Sequence, residues 1–164
     1  MFSPDFFSRP GHLVNRLARL MNRLGEERLK PLGFSTGQLP VLGVLSDGKA
    51  LPQKDLAQWA KIEQPSMAQM LARMERDGLI HRIPDPEDKR SSLISLTEDA
   101  IARLPAMHEV LTQGNADALT GLSDEEVATL SLLLKKVIAN LEALDKTQEA
   151  QPSAPRHLAD ETET

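Results

Sequence analysis

QPSMAQMLARMERDGLIHRIPDPEDKRSSLISLT, residues 64–97, changes its periodicity twice, and those changes decide the fold. From Gln64 to Asp77, the apolar residues Met67, Met70, Leu71 and Met74 recur at the three- and four-residue steps of one helical face. Gly78 closes that helix, because glycine accepts the left-handed backbone a helix end needs. Residues 79–83 then read as a strand, 84–90 as turn chemistry with a basic end, and 92–96 as a second strand. Just upstream, residues 54–60 form another short helix, separated from the first by Lys61, Ile62 and Glu63. Two short helices across a tight turn are a helix-turn-helix candidate. A β-hairpin directly behind them makes it a winged helix, with Lys89 and Arg90 at the tip, where a phosphate or minor-groove contact needs them.

Outward from this lobe the chain is helical. Leu13, Leu17, Leu20 and Leu24 line one face of a helix over about residues 10–30, which Gly33 stops. Ser35 and Gln38 form a capping box, opening a helix through Val41, Leu42 and Leu45 in which Pro40 distorts the second turn. After the hairpin, Thr97 caps a helix carrying Ile101, Leu104, Met107 and Leu111, and Pro105 is expected to kink it. Ser123 and Glu126 make a second capping box. The last helix carries Val127, Leu130, Leu134, Val137, Leu141 and Leu144 at heptad spacing, which fits either an intramolecular bundle or a dimer seam. Residues 147–164 are polar, acidic and broken by Pro152 and Pro155, and read as a disordered tail.

Composition agrees with a mainly α fold. Only 3% of the 164 residues are aromatic, while strands draw on aromatic and β-branched residues. The absence of cysteine removes disulfides, thiolate zinc sites and a cysteine nucleophile. The four histidines have no metal-ligand spacing, and no phosphate-cradling or nucleophile-elbow motif occurs, so neither a cofactor nor an enzyme is expected. No apolar run is long enough for a membrane span and no secretory signal opens the chain, so a cytoplasmic protein is expected. The net charge of −5 hides an uneven distribution: residues 9–30 carry +4, residues 49–96 carry +1 and residues 97–146 carry −5. The placement of individual charges therefore says more than their total.

The order of these elements resembles the MarR family of bacterial transcriptional regulators over roughly residues 10–145. The most specific part is LARMERDGLIHR, residues 71–82, followed by Asp88-Lys89-Arg90 and then Leu96-Thr97. Met74 stands where the family usually has Leu, and Ala100 where it commonly has Gly. The resemblance implies one domain over residues 1–146. Its winged helix-turn-helix lobe spans about 35–96, and the N- and C-terminal helices, about 10–30 and 97–146, form a helical dimerisation region. It further implies a homodimer that binds double-stranded DNA, commonly as a repressor released by a small aromatic or phenolic ligand.

The residues locate a DNA face that fits this picture. Opposite the Met67–Leu71–Met74 side, Ser66, Gln69, Arg73 and Arg76 share the other side of the helix, with Gln64 at its start. Glutamine reads adenine edges and arginine reads guanine, while serine and helix-start amides suit phosphate. The alternative is a plain solvated face. By resemblance, Asp88 holds Arg90 as the latter enters the minor groove. Arg82 either braces the wing base or touches phosphate. A ligand carboxylate could pair with His12, Arg16 and Arg19 on the first helix, in a cleft between dimerisation helices and lobe. The reading is thus a ligand-responsive repressor on a pseudo-palindromic operator. A dimeric interaction or small-molecule-binding module without sequence-specific DNA binding is the alternative.

Overall fold

The computed structural model describes residues 7–86 and 91–149. The chain divides into two compact units, one ending at Ala118 and the other beginning at Leu119. The first unit holds α1 (Pro10–Leu29), α2 (Leu39–Leu45), β1 (Leu51–Pro52), α3 (Gln53–Ala60), α4 (Gln64–Arg76), β2 (Ile80–Pro84), β3 (Ser92–Leu96) and α5 (Glu98–Ala118). The second holds α6 (Asp124–Glu149), whose end lies within the stretch read as tail; the rest of that tail is outside the described residues.

The three strands form one antiparallel sheet in the order β1-β3-β2. Ile80 pairs with Leu96 and Pro84 with Ser92 across the hairpin expected from residues 79–83 and 92–96, with β2 one residue later than that reading. Strand β1 was not expected. It pairs Leu51 with Ile94 and Pro52 with Leu93 on the free side of β3, and two residues are too few to carry a periodicity. Under the sheet, Val41, Leu42, Leu45, Leu56, Met67 and Leu71 are fully buried, with Met74 and Ile94 beside them. Each such side chain stabilises the fold by about 1.5–3 kcal/mol relative to exposure. Met74 thus fills the core place that a leucine would take.

The connection from α1 to α2 differs from expectation. Ser35 and Gln38 do form the capping box, the Ser35 N–H donating to Gln38 Oε1 at 2.9 Å. The turn it opens, Thr36–Gln38, is 3-10, and the α-helix begins only at Leu39. Pro40 therefore lies in the first turn of α2, where its missing N–H costs no hydrogen bond, and does not distort a second turn. Glu26 of α1 secures this turn, accepting from the Thr36 N–H at 2.7 Å and from the Thr36 hydroxyl. Those bonds, the hydroxyl first, hold the Glu26 carboxyl below its ordinary range. Its contribution to stability is present above the ordinary pKa of 4.5 and is lost as the pH falls through the lowered folded-state value.

Gly25 sits beneath the same contact, where an added Cβ would stand 2.6 Å from Thr36 Cγ2. In an open helix interior, Gly→Ala gains about 1 kcal/mol. Here Gly25→Ala is expected to lower the melting temperature, and Thr36→Ser, which removes the methyl and keeps the hydroxyl, to restore it in the double variant. Thermal unfolding of the three variants checks this; a single Gly25→Ala that melts above wild type refutes it.

Thr97 joins the wing to α5. Its hydroxyl donates to the Gly78 carbonyl at 2.8 Å and accepts from the Ala100 N–H at 3.1 Å, so one group caps α5 and ties it to the end of α4. Helix α5 is continuous through Pro105. At its far end Asp117 pairs with Arg28 of α1 and accepts from Gln113 Nε2 at 2.8 Å. In the second unit Glu126 accepts from the Ser123 N–H at 2.7 Å and donates its own N–H to Ser123 Oγ at 3.3 Å, completing the second capping box. Two apolar faces stay open on this chain. Leu13, Leu17 and Leu20 of α1 are 43–50% exposed, and Val137, Leu141 and Leu144 of α6 are 46–60% exposed.

Candidate nucleic-acid interface

Helix α4 owes its position to its buried side. Met67, Leu71 and Met74 are inaccessible to solvent and fix the helix's rotation about its axis. Met70, expected on the same apolar side, is only half-buried, because it lies at the border of that stripe. Pro65 in the first turn suits a helix start, and Gly78, at φ +71°, lets the chain turn back into β2. Rotation and ends being set, Ser66, Gln69, Arg73 and Arg76 project into solvent on the side opposite the core, and Gln64 is exposed at the helix start.

Their surroundings differ. Ser66, Gln69 and Arg73 make no side-chain hydrogen bond or ion pair among the described residues. Gln64 accepts from Gln53 Nε2 at 3.2 Å, a bond that links the first turns of α3 and α4. Arg76 lies 3.2 Å from the carboxylate of Asp77 at the helix end, an exposed pair of small energetic worth. Arg82 is directed back toward α4, its Nε 3.1 Å from Glu75 Oε2. The pair links β2 to the recognition-helix candidate. Lys89, Arg90 and Asp88 lie outside the described residues.

Gln53 and Glu75 are contributors that the sequence reading missed. Both act through tertiary pairs that join two different elements, α3 to α4 for Gln53–Gln64 and α4 to β2 for Glu75–Arg82, so the periodicity of a single element does not reveal them. The run residues 71–82 does contain both Glu75 and Arg82, and their opposite charges were the available signal.

His12, Arg16 and Arg19 lie along α1, Arg16 and Arg19 exposed and the His12 ring packed edge-on against Phe7 with centroids 5.0 Å apart. A cleft of about 50 Å³ between α1 and α5 is lined instead by Met21, Leu24, Gly25, Arg28, Val110 and Leu111, with Gly114 and Asn115 closing it. Among the described residues no group of His, Asp or Glu side chains could hold a metal ion, and no helix is long and apolar enough to cross a membrane.

Comparison with known proteins gives a consistent outcome. The family model of the MarR family matches residues 34–92, which run from within the α1–α2 connection to the start of β3. The chain is 32% identical over 129 residues to the multiple antibiotic resistance protein MarR of Escherichia coli, covering 78% of this chain and 90% of that protein. Among solved structures, it is similar to a Cys-to-Ser mutant of E. coli MarR complexed with operator DNA, at 28% identity and a TM-score of 0.73, over 83% of this chain and 99% of that one. The MepR–DNA complex of S. aureus shares the fold at 24% identity and a TM-score of 0.74, over 80% and 98% of the two chains.

Proposed function

This chain belongs to the MarR family of winged-helix transcriptional regulators, and from that premise we propose that it binds double-stranded DNA as a homodimer and represses transcription from a pseudo-palindromic operator. The observation that carries this reading is the division of α4: a fully buried methionine and leucine side sets its pose, and the opposite side offers Ser66, Gln69 and Arg73 with their polar groups unengaged among the described residues. Gln69 and Arg73 read base edges in the major groove, Ser66 and Gln64 meet phosphate near the helix start, and Arg76 adds a charge at the far end. Lys89 and Arg90 extend the footprint from the wing, with Asp88 orienting Arg90. The related protein that was solved with operator DNA supports the same use of the fold.

The domain reading goes with it: residues 1–146 act as one regulator, with the exposed leucines of α1 and the apolar residues of α6 covered by the second copy, and residues 147–164 as an acidic tail. No catalytic step and no cofactor enter this function. Work on DNA places the protein with the chromosome, in the cytoplasm.

Release by a small aromatic or phenolic acid completes the proposal. His12, Arg16 and Arg19 supply cationic and polar groups for its carboxylate, and a ligand lowers affinity by binding more tightly to a dimer whose lobes are wrongly spaced. The test is selection of bound fragments from genomic DNA, followed by titration of the selected duplex at several salt concentrations. Neutralised phosphates make affinity fall linearly in log–log coordinates with a slope of about −0.9 per phosphate contact. Salicylate-like acids should then loosen the complex in wild type and much less in Arg16→Ala. Failure to select any duplex refutes the DNA reading; a complex indifferent to every small aromatic acid refutes the ligand.

A further inference from the structure

From α5, Arg103 reaches the segment that links α1 to α2. Its Nη1 donates to the Leu32 carbonyl at 2.9 Å, Nη2 to the Asp99 carboxylate at 2.6 Å, and Nε to the Asp99 carbonyl at 3.2 Å. The guanidinium carbon also lies 5.1 Å from the ring centroid of Phe34, which is buried at 4% exposure. Between the two held residues stands Gly33, at φ +74°, where a Cβ would come within 2.6 Å of Arg103 Nη1. A side chain there would be strained at that φ, and its Cβ would push the end of the Arg103 side chain aside.

This contact sits at a junction. The start of α5 is fixed to the winged-helix lobe, since Ala100 lies in the core and Thr97 ties α5 to the end of α4. Helix α1 carries the open leucine face and reaches the lobe through residues 30–38, where Arg103 grips it. A further polar tie between α1 and α5 is Arg28–Asp117, a half-exposed pair of the kind worth little in water. Together with Leu29 in the core and the Glu26–Thr36 bonds, the Arg103 grip therefore bears on the angle between α1 and the lobe, and it is the tie that joins the connection to α5. A helix of this length spans about 30 Å, so a rotation of about 7° moves its far end by about 3.4 Å, one base-pair step.

We propose that Arg103 is a positioning residue for DNA recognition: by holding Leu32 and Phe34 it sets the angle between the dimer-forming face of α1 and α4, and so the half-site spacing that the dimer reads. This rests on the dimeric DNA-binding reading above, in which two recognition helices must stand about 34 Å apart.

The chain contains no cysteine, so a single Ala72→Cys on the exposed side of α4 can carry one spin label per copy. The distance distribution between the two labels is measured by pulsed dipolar spectroscopy in this background, with Arg103 intact and with Arg103→Ala. Intact Arg103 is expected to give a narrow distribution, and Arg103→Ala a broadened and shifted one. Arg103→Lys does not restore it, because an ammonium on a flexible stem cannot bridge two oxygens while lying on a ring. In a selection from paired half-sites with variable spacers, Arg103→Ala loses the spacer preference and keeps the base preferences. An unchanged distance distribution in Arg103→Ala overturns the inference. Should that variant fail to fold by circular dichroism, Phe34→Leu, which keeps the apolar fill and removes the ring face, is read by the same measurement with the same criterion. Wild-type protein that shows the narrow distance but selects no duplex refutes the proposed function and leaves the spacing role standing. Protein that gives no inter-copy distance removes both.

Discussion

Leu17→Asp combined with Leu141→Asp yields a chain that sediments as a monomer or aggregates, and operator binding is lost by about 10²–10⁴-fold. The size of the effect follows from linkage. In a dimer the second half-site is bound at the effective concentration set by the first, and separating the copies removes that gain without touching one DNA contact. The substitutions should spare the lobe, because Leu17 is 43% and Leu141 60% exposed on the single chain. Magnitudes indicate why both helices are needed. Covering a half-exposed leucine recovers about 1 kcal/mol. Leu13, Leu17 and Leu20 of two copies then gain about 6 kcal/mol, which falls inside the roughly 4–15 kcal/mol that association costs. In the proposed dimer the surplus is expected from α6, where Leu132, Leu133, Val137, Ile138, Leu141 and Leu144 are exposed. Analytical ultracentrifugation at micromolar concentration and a DNA mobility shift check the prediction. A stable wild-type monomer, or a double variant with undiminished operator affinity, contradicts it.

The lobe was legible because its elements carry long, uninterrupted patterns. Thirteen residues of α4 show which side is core, and the burial of Met67, Leu71 and Met74 follows the spacing residue by residue. Strands β2 and β3 were legible for the same reason, with turn residues between them. What stayed hidden is what depends on partners distant in sequence. Strand β1 exists only because β3 offers it an edge, and Pro52 within it argues against a strand in any local reading. Pro40 was misjudged because the capping box at Ser35 opens a 3-10 turn rather than the α-helix itself, which moves the helix start three residues on. The Arg103 grip has no sequence signature at all, as the carbonyl of Leu32 and the ring of Phe34 are seventy residues away in the chain.

The candidate site was legible to a similar depth. Periodicity assigns Ser66, Gln69 and Arg73 to the open side of α4, and the structure leaves them there without a side-chain partner among the described residues. Periodicity has no means of ranking them against Arg76 and Arg82, which look equivalent as letters. Three-dimensional pairing separates them: Asp77 and Glu75 already engage those two guanidiniums. Breaking such a pair to reach DNA costs part of what the new contact gains, so under the proposed function Arg73 is the arginine of this set expected to enter the groove at least expense.

That ranking gives the second large effect. Arg73→Ala and Gln69→Ala are each expected to weaken operator binding by about 1–3 kcal/mol, roughly tenfold or more, and to relax the preference at particular base pairs. Arg76→Ala, starting from a guanidinium already paired, should cost less and leave base preference unchanged. Arg90→Ala is expected to weaken binding to cognate and related duplexes evenly and to reduce the salt slope by about 1, as loss of a single backbone-directed charge does. The discriminating measurement is a binding titration of each variant against a panel of operators altered one base pair at a time, repeated at two salt concentrations. Side chains that read bases change the rank order of the panel, because the wrong base leaves a desolvated donor or acceptor unpaired. Side chains that only hold phosphate move every duplex together. If Arg73→Ala and Arg90→Ala shift the panel in the same way, α4 contributes charge and not sequence readout, and the assignment of Gln69 and Arg73 as base readers fails.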